Sequence, residues 1–328
     1  MAITETSKNT QLPCVAATND VRTYNNPTPI TENITKVSVE AHRDYLTPDV
    51  PYIVGSKLAN VNVSTRLQGT NVLGTTENGF TGVAALMAAS GANVFATVPT
   101  DVVITPATKT QLRTQVGTIA TNGLSGSMSC EAWHETKKHL AFGVLGNTVI
   151  SATAGGTLDL NFTGTGCYDT VVDATAPTAW TGGTDYSAVQ IGAGTTTIKA
   201  EAVTMSSFSF DFGAQVIPIP DLTAVEGLTY AITRRNPTLS VTFLKDSRNT
   251  GTLDPEDFYV DKAANTTHAI VINLNAGAAT KDILFNFDHA EIMSVQDGVG
   301  AGYLTTTVNY RLTDPTTDAG DWLITIGS

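Results

Sequence analysis

LNFTGTGCYDTVVDATAP (160–177) changes character within a few residues. Leu160 and Phe162 alternate with Asn161 and Thr163, the period-two pattern of a strand with one buried face. Gly164 and Gly166 interrupt the alternation, Cys167-Tyr168-Asp169 follows, and the segment passes into Ala, Thr and Pro. The pattern predicts a strand over 157–164 that stops at the glycines, with a linker at 173–188. A strand ending near the middle of a 328-residue chain divides it into candidate units at 36–172 and 189–328, preceded by an extended arm at 1–35 broken by Pro13, Pro27 and Pro29.

Composition agrees with a β-rich chain. Hydrophobic residues make up 41% and support a core, while only 15% are charged. Thr, Ser, Asn and Gly take the place of the missing charge, as on the outer faces of strands rather than of surface helices. The net charge is −12, and it is uneven: ten basic against thirteen acidic residues up to position 175, eight against seventeen after it. That balance excludes a large basic surface holding nucleic acid by counterion release. The opening MAITETSKNTQLP has neither a basic start nor an apolar stretch, so no signal peptide is expected. No run approaches the ~18 apolar residues of a membrane helix. Cys14, Cys130 and Cys167 are too few and too scattered for a disulfide framework, and reduced thiols in a protein made in the cytoplasm are expected.

Alternation continues outward in both directions. KVSVEAH (36–42) and SKLANVNVSTRLQG (56–69) read as strands separated by a proline-containing loop at 46–56. ENGFTGVAALMAASG (77–91) is the clearest helix: Phe80, Val83, Ala84 and Met87 follow i, i+3, i+4, i+7, and Gly91 can close the end. Strands follow near 126–133 and 139–151. In the second half, SSFSFDFG (206–213) places Phe208, Phe210 and Phe212 on one face. TLSVTFL (238–244) precedes a short helix at 254–265, for which Asp254 is the cap and Pro255 lies in the first turn. HAIVINLN, DILFNFDH, LTTTVNYRLT and DWLITI complete the strands. Strand, helix, strand group thus occurs twice, which suggests duplication.

Catalytic and metal patterns are weak. HETKKH (134–139) has histidines five apart, which turns the second off the first one's helical face, and a charged hairpin turn accounts for it. DHAE (288–291) on a strand puts neighbours on opposite sides. DSRNTGTLDPED (246–257) has the length of an EF-hand loop, but Arg248 and Thr250 stand where ligands are needed. GLSGS (123–127) lacks nucleophile-elbow spacing. No catalytic, cofactor-binding or metal-binding residue is assigned, and no cofactor is expected. RRNP (234–237) is the one concentrated basic point: Arg234 and Arg235 could grip a carboxylate on a neighbouring subunit or form a solvated turn.

Several stretches, in order, resemble the tail tube (major tail) proteins of long-tailed bacteriophages, in particular the double-unit kind. TYNNPTPITENITKVSVE is similar to that family's arm and first strand, and TPDVPYIVGSKLANVNVSTRLQGT to the loop and long strand after it. ENGFTGVAALMAASG is similar to its helix, LDLNFTGTGCYDTVVDATAPT to its glycine–aromatic–Asp passage, and EAVTMSSFSFDFGAQVIP with YAITRRNPTLSVTF to the start of its second unit. The helix lacks a proline-leucine entry, a departure from the family pattern. The resemblance implies a mainly β fold: two tandem β-sandwich or barrel-like units, each with one short helix, whose strands complete a β-barrel between subunits. It implies a structural virion protein, not an enzyme, stacked in rings to form the tube through which phage DNA is ejected. Three two-unit chains would make a pseudo-sixfold ring. The implied partners are other copies of the chain, the tape-measure protein and other tail proteins, with DNA passing through without specific binding and no membrane. The implied location is the virion tail, after synthesis in the bacterial cytoplasm. Residues on polar strand faces are the candidates for the channel lining: Asn62, Ser64, Ser129, Glu131, Asp159, Asn161, Ser209, Asp211, Thr305, Thr307 and Asn309. A tail terminator, a capsid decoration protein or a surface adhesin would share the strand composition.

Overall fold

The computed structural model describes residues 30–38, 52–67, 78–97, 101–106, 127–134, 137–173, 194–220, 228–245, 257–274, 283–300, 302–313 and 322–326. The expected arm up to residue 29, most of the linker, the 123–126 glycine stretch and the 246–256 loop with its Asp254 cap lie outside these. The fold is mainly β and antiparallel, with two helices among the described residues.

In the first half, β1 (Ile30–Ser38) and β2 (Tyr52–Arg66) form a hairpin pair, followed by α1 (Asn78–Ala89), β3 (Ala92–Thr97), β4 (Asp101–Pro106), β5 (Met128–His134), β6 (Lys137–Thr153) and β7 (Leu158–Asp173). The second half contains β8 (Thr195–Ile198), β9 (Glu201–Val203), β10 (Met205–Asp211), β11 (Ala214–Pro220), β12 (Leu228–Arg235) and β13 (Thr238–Leu244). It continues with α2 (Asp257–Ala264), β14 (Thr267–Leu274), β15 (Ile283–Gly300), β16 (Tyr303–Leu312) and β17 (Leu323–Ile326).

Fifteen strands join in one sheet whose main path is β1-β2-β7-β6-β10-β13-β16-β15-β14-β8-β9; β11 and β12 pair separately. The sheet curls back on itself. β13 and β16 lie between β10 and β15 on the path, and three strand steps of ~4.8 Å would separate flat neighbours by ~14 Å. Yet the rings of Phe208 and Phe285 are 5.3 Å apart and those of Phe210 and Phe287 5.1 Å. The first part of β15, flanked by β14 on one side and β17 on the other, therefore covers β10. The later part runs beside β16 in the other layer, with a register shift between Ile292 and Ser294 marking the passage. Trp322 closes the aromatic cluster against Phe210 and Phe212.

The helices pack onto the buried face. Val83 and Met87 of α1 are buried as the spacing predicts, joined by Leu86 and Ala89; the side chains of Phe80 and Ala84 lie outside the described set. Gly91, with φ 80°, ends the helix by donating its N–H to the Ala88 carbonyl at 3.0 Å. Ser90 donates to the Leu86 carbonyl (3.0 Å), which leaves the Thr148 hydroxyl to donate to Ser90 across 2.6 Å, so two fully buried hydroxyls satisfy each other.

Three sequence-based boundaries change. β1 starts at Ile30, earlier than its alternation suggests, because as an outermost strand it buries Ile30 and leaves Thr31, Glu32 and Asn33 exposed. β2 already begins at Tyr52, inside the expected loop. β7 does not stop at Gly164 but runs to Asp173. Its glycines make room rather than end the strand: a Cβ on Gly164 would lie 2.6 Å from the Phe162 ring and 2.9 Å from the Leu145 carbonyl oxygen. We expect Gly164→Ala to cost about 1–3 kcal/mol by overpacking, read as a lower urea midpoint. Gly298→Ala, whose new methyl would meet only Thr305 Oγ1 at 3.4 Å, should change the midpoint little.

Candidate functional site

Alternation puts the side chains opposite the core on one continuous polar face. Following Cα partners across the sheet, one row runs Arg66, Asp159, Ser151, Ser209, Ser240, Asn309, Ser294 over seven strands. The next runs Ser64, Asn161, Val149, Asp211, Thr238, Arg311, Glu291. Asn62 pairs with Thr163, Thr307 with Thr242, and Thr305 with Leu244 and Gly298. Nine of the eleven sequence candidates thus share this face: Asn62, Ser64, Asp159, Asn161, Ser209, Asp211, Thr305, Thr307 and Asn309. Ser129 and Glu131 sit apart on β5, which runs along the first part of β6, off the eight-strand path β1-β2-β7-β6-β10-β13-β16-β15. Lys138 Nζ donates to Glu131 at 3.2 Å.

The two cations in these rows are held. Arg66 lies 3.8 Å from Asp159, and Arg311 Nε donates to Glu291 at 3.1 Å. Asp211 accepts from Asn147 at 2.6 Å and from the Gly213 N–H at 2.8 Å. Where Ser151, Thr153, Thr157, Asp159, Ser207 and Ser209 converge the face has a depression of about 190 Å³. Alongside Ala152 and Phe208 it is lined by hydroxyls and a single carboxylate, to which Thr157 donates at 3.0 Å. Hydroxyls without an adjacent base or second acid offer wetting and weak hydrogen bonding, not proton transfer.

The β11–β12 ribbon folds over one end of this surface. Gly213 (φ 64°) breaks β10 from β11 where a Cβ would strike the Asn236 carbonyl at 2.1 Å. Tyr230 and Ile232 then pack on Leu145 and Cys167 in a second apolar cluster. Burial there, then the neighbouring Cys167, pushes the Tyr230 phenol up to about 12. Of the paired arginines that close β12, Arg234 is exposed, while Arg235 Nη1 donates to the Gly91 carbonyl at the end of α1 at 3.1 Å. Arg235 therefore fastens the ribbon to the helix within the chain.

The strongest titratable cluster lies elsewhere and carried no sequence signal, because its members come from four separated segments. Fully buried His268 donates from Nε2 to Asp261 of α2 (2.9 Å), Lys199 donates to the same carboxylate, and the Tyr310 hydroxyl donates to His268 Nδ1 at 3.5 Å. Burial holds the imidazole below its ordinary range despite the carboxylate. Burial alone would raise Asp261, but the bonds from Lys199 and His268 bring it below the usual carboxylate range. Burial raises the Tyr310 phenol strongly. The cluster clasps α2 to the sheet. Among the described residues no group of three or more His, Cys, Asp or Glu could hold a metal ion, and no helix is long and apolar enough to cross a membrane.

No family model matches the chain, and comparison with curated proteins finds no match.

The clasp makes stability pH-dependent with a definite sign. Both folded pKa values are depressed, so the unfolded chain takes up protons first: His268 begins to erode stability as pH falls below 6.5, and Asp261 follows below the ordinary carboxylate value. A single such proton gives a slope of up to about 1.4 kcal/mol per pH unit. We expect urea midpoints to fall between pH 6.5 and 5, and His268→Gln, though less stable at pH 7, to flatten that decline.

Proposed function

We propose that this chain is a tail tube subunit: a structural protein of a long-tailed phage virion that polymerises through its sheet edges into stacked rings enclosing a channel for DNA. The observation that carries the reading is the strand order. β1-β2-β7-β6 and β10-β13-β16-β15 repeat one arrangement, in which an antiparallel pair is followed by a hairpin of two long strands, with a helix between the second and third strands of the four in chain order. On this reading the two halves are tandem units side by side, joined where β6 pairs with β10.

Such a strip has one face committed to the core, one polar face, and two outer edges. Among the described residues β1 has no second partner strand, and the last part of β15 pairs with β16 alone. Open edges invite association, and a closed ring satisfies them without runaway growth. Three chains contribute six units and close a pseudo-sixfold barrel with the polar face inward. That face suits a conduit for a polyanion: mostly Ser, Thr and Asn, with Arg66 and Arg311 neutralised by Asp159 and Glu291. Phosphates find few cations from which to release counterions, so DNA slides rather than sticks. The tape-measure protein would occupy the bore before DNA, and other tail proteins would cap the ends. The subunit would be made in the bacterial cytoplasm and reside in the virion tail.

Negative-stain microscopy of the purified chain at high concentration should show rings or hollow filaments; a strictly monomeric particle overturns the reading. Ser209→Lys with Asn309→Lys, two exchanges on the polar face, should leave assembly intact yet slow DNA ejection from virions carrying them. Unchanged ejection would remove the channel assignment from that face.

A further inference from the structure

We infer that the β6–β10 junction inside one chain is the template for the junction between copies: β1 of one copy pairs antiparallel with residues 292–297 of β15 in the next, Thr31 standing opposite Gln296. This deepens the ring reading and rests on it.

The register follows from pairings already present. The long hairpins superimpose by their tips: the core-facing pair Ala152–Leu158 of β6 and β7 corresponds to Val299–Leu304 of β15 and β16, and Thr148–Phe162 to Val295–Val308. One strand further, Phe162 faces Val63 on β2 and Val308 faces Val241 on β13. Two residues earlier on those strands, Val61 faces Ile30 of β1 and Leu239 faces Phe210 of β10. Ile30 therefore occupies in the first arrangement the place Phe210 holds in the second. Within the chain Phe210 is opposite Ile150 and Asp211 opposite Val149. Carried to the outer edges, Ile30 falls opposite Asp297, Thr31 opposite Gln296 and Glu32 opposite Val295.

Burial separates the two junctions in the way a missing neighbour requires. Ala152 is 5% exposed and Leu158 0%, whereas their counterparts Val299 and Leu304 are 76% and 57% exposed. The same core-facing row is covered where β10 lies beside β6 and exposed beside the last part of β15, which has no second neighbour among the described strands. Tyr303 and Met293 add further exposed apolar surface along this stretch. A second copy is the occupant that fits, because it brings an edge strand with the alternation of β10: Ile30 toward the core, Thr31 toward the polar face. The polar side also matches. At the internal junction Asp211 bonds to Asn147; the corresponding residues, Thr31 and Ser294, are two hydroxyl side chains able to bond each other.

The hydrogen-bond pattern supplies a sharp test. Phe212 N–H donates to the Thr148 carbonyl (3.0 Å), so the intervening Asp211–Val149 position is a non-hydrogen-bonded pair, where Cα atoms approach to ~4.5 Å. Thr31 and Gln296 inherit that position, within disulfide reach. The full-length chain carrying Cys14→Ser, Thr31→Cys and Gln296→Cys should, under mild oxidation, form reducible covalent dimers and trimers in high yield. Thr31→Cys with Gly298→Cys, one step out of register at ~7 Å or more between Cα atoms, should give less than a tenth of that yield. Cys130 and Cys167 are buried and should stay silent. Rings or tubes that assemble normally but cross-link only in the shifted pair, or in neither, overturn the register and leave the tube reading standing. Cross-linked closed rings that never stack into tubes support the junction and overturn the tube. A chain that stays monomeric and uncross-linked at all concentrations overturns both.

Discussion

Phe208 and Phe210 of β10, with Phe212 just beyond its end, are set against Phe285, Phe287 and Trp322 and hold the sheet in its curled form. Each buried ring contributes roughly 1.5–3 kcal/mol of hydrophobic stabilisation, and edge-on contacts such as Phe210–Phe287 add about 0.5–1.5 kcal/mol more. β10 sits at the centre of the eight-strand path, so its rings tie both halves to one interior. Without that contact the strip would be an amphipathic ribbon with its apolar face in water. With it, the opposite face is free to be whatever function requires.

That freedom shows in how the chemistry is distributed. The groups with displaced pKa values, His268, Asp261, Asp297, Tyr168, Tyr230 and Tyr310, are the ones clasped by helices, ribbons or neighbouring strands. Asp297 is held below the usual carboxylate range chiefly by its bond from Lys245, with Thr306 and Tyr259 also donating. Among the described residues the broad polar face has no comparable cluster. Small polar side chains repeat across seven strands, some bonding to each other as Thr242 does with Thr307 and Asn309 with Ser294, and the arginines among them pair with carboxylates. On the proposed reading this hydroxyl-rich face is the one that lines the channel.

Edges are the remaining constraint. A β-strand pairs both edges of its backbone with other strands only when it has neighbours on both sides, and the long strands show how much pairing one strand can organise. β6 carries β7 along one side and β5 followed by β10 along the other. β15 likewise has β14 on one side and β17 followed by β16 on the other, but β14 ends halfway. The half-open edge of β15 and the exposed apolar residues along it are consequences of the same unfinished pairing.

The sequence by itself determined the mainly β class, both helices, the Phe208–Phe210–Phe212 stripe and the polar character of nine candidate positions. Each of these follows from a local period, and a period is carried by neighbouring residues. It misread Gly164 and Gly166 as strand ends, since a glycine that clears space for Phe162 looks in sequence like one that breaks a strand. It gave no sign of the Lys199–Asp261–His268–Tyr310 clasp or of Arg235 reaching the end of α1. Only the tertiary structure decided the strand order, the register that lines up hydroxyls from Arg66 to Ser294, and the edges left bare. Alternation says which way a side chain points but not which strand lies beside it, and that choice is made by contacts between segments far apart in the chain, such as Ser209 with Ser151 and Leu58 with Cys167.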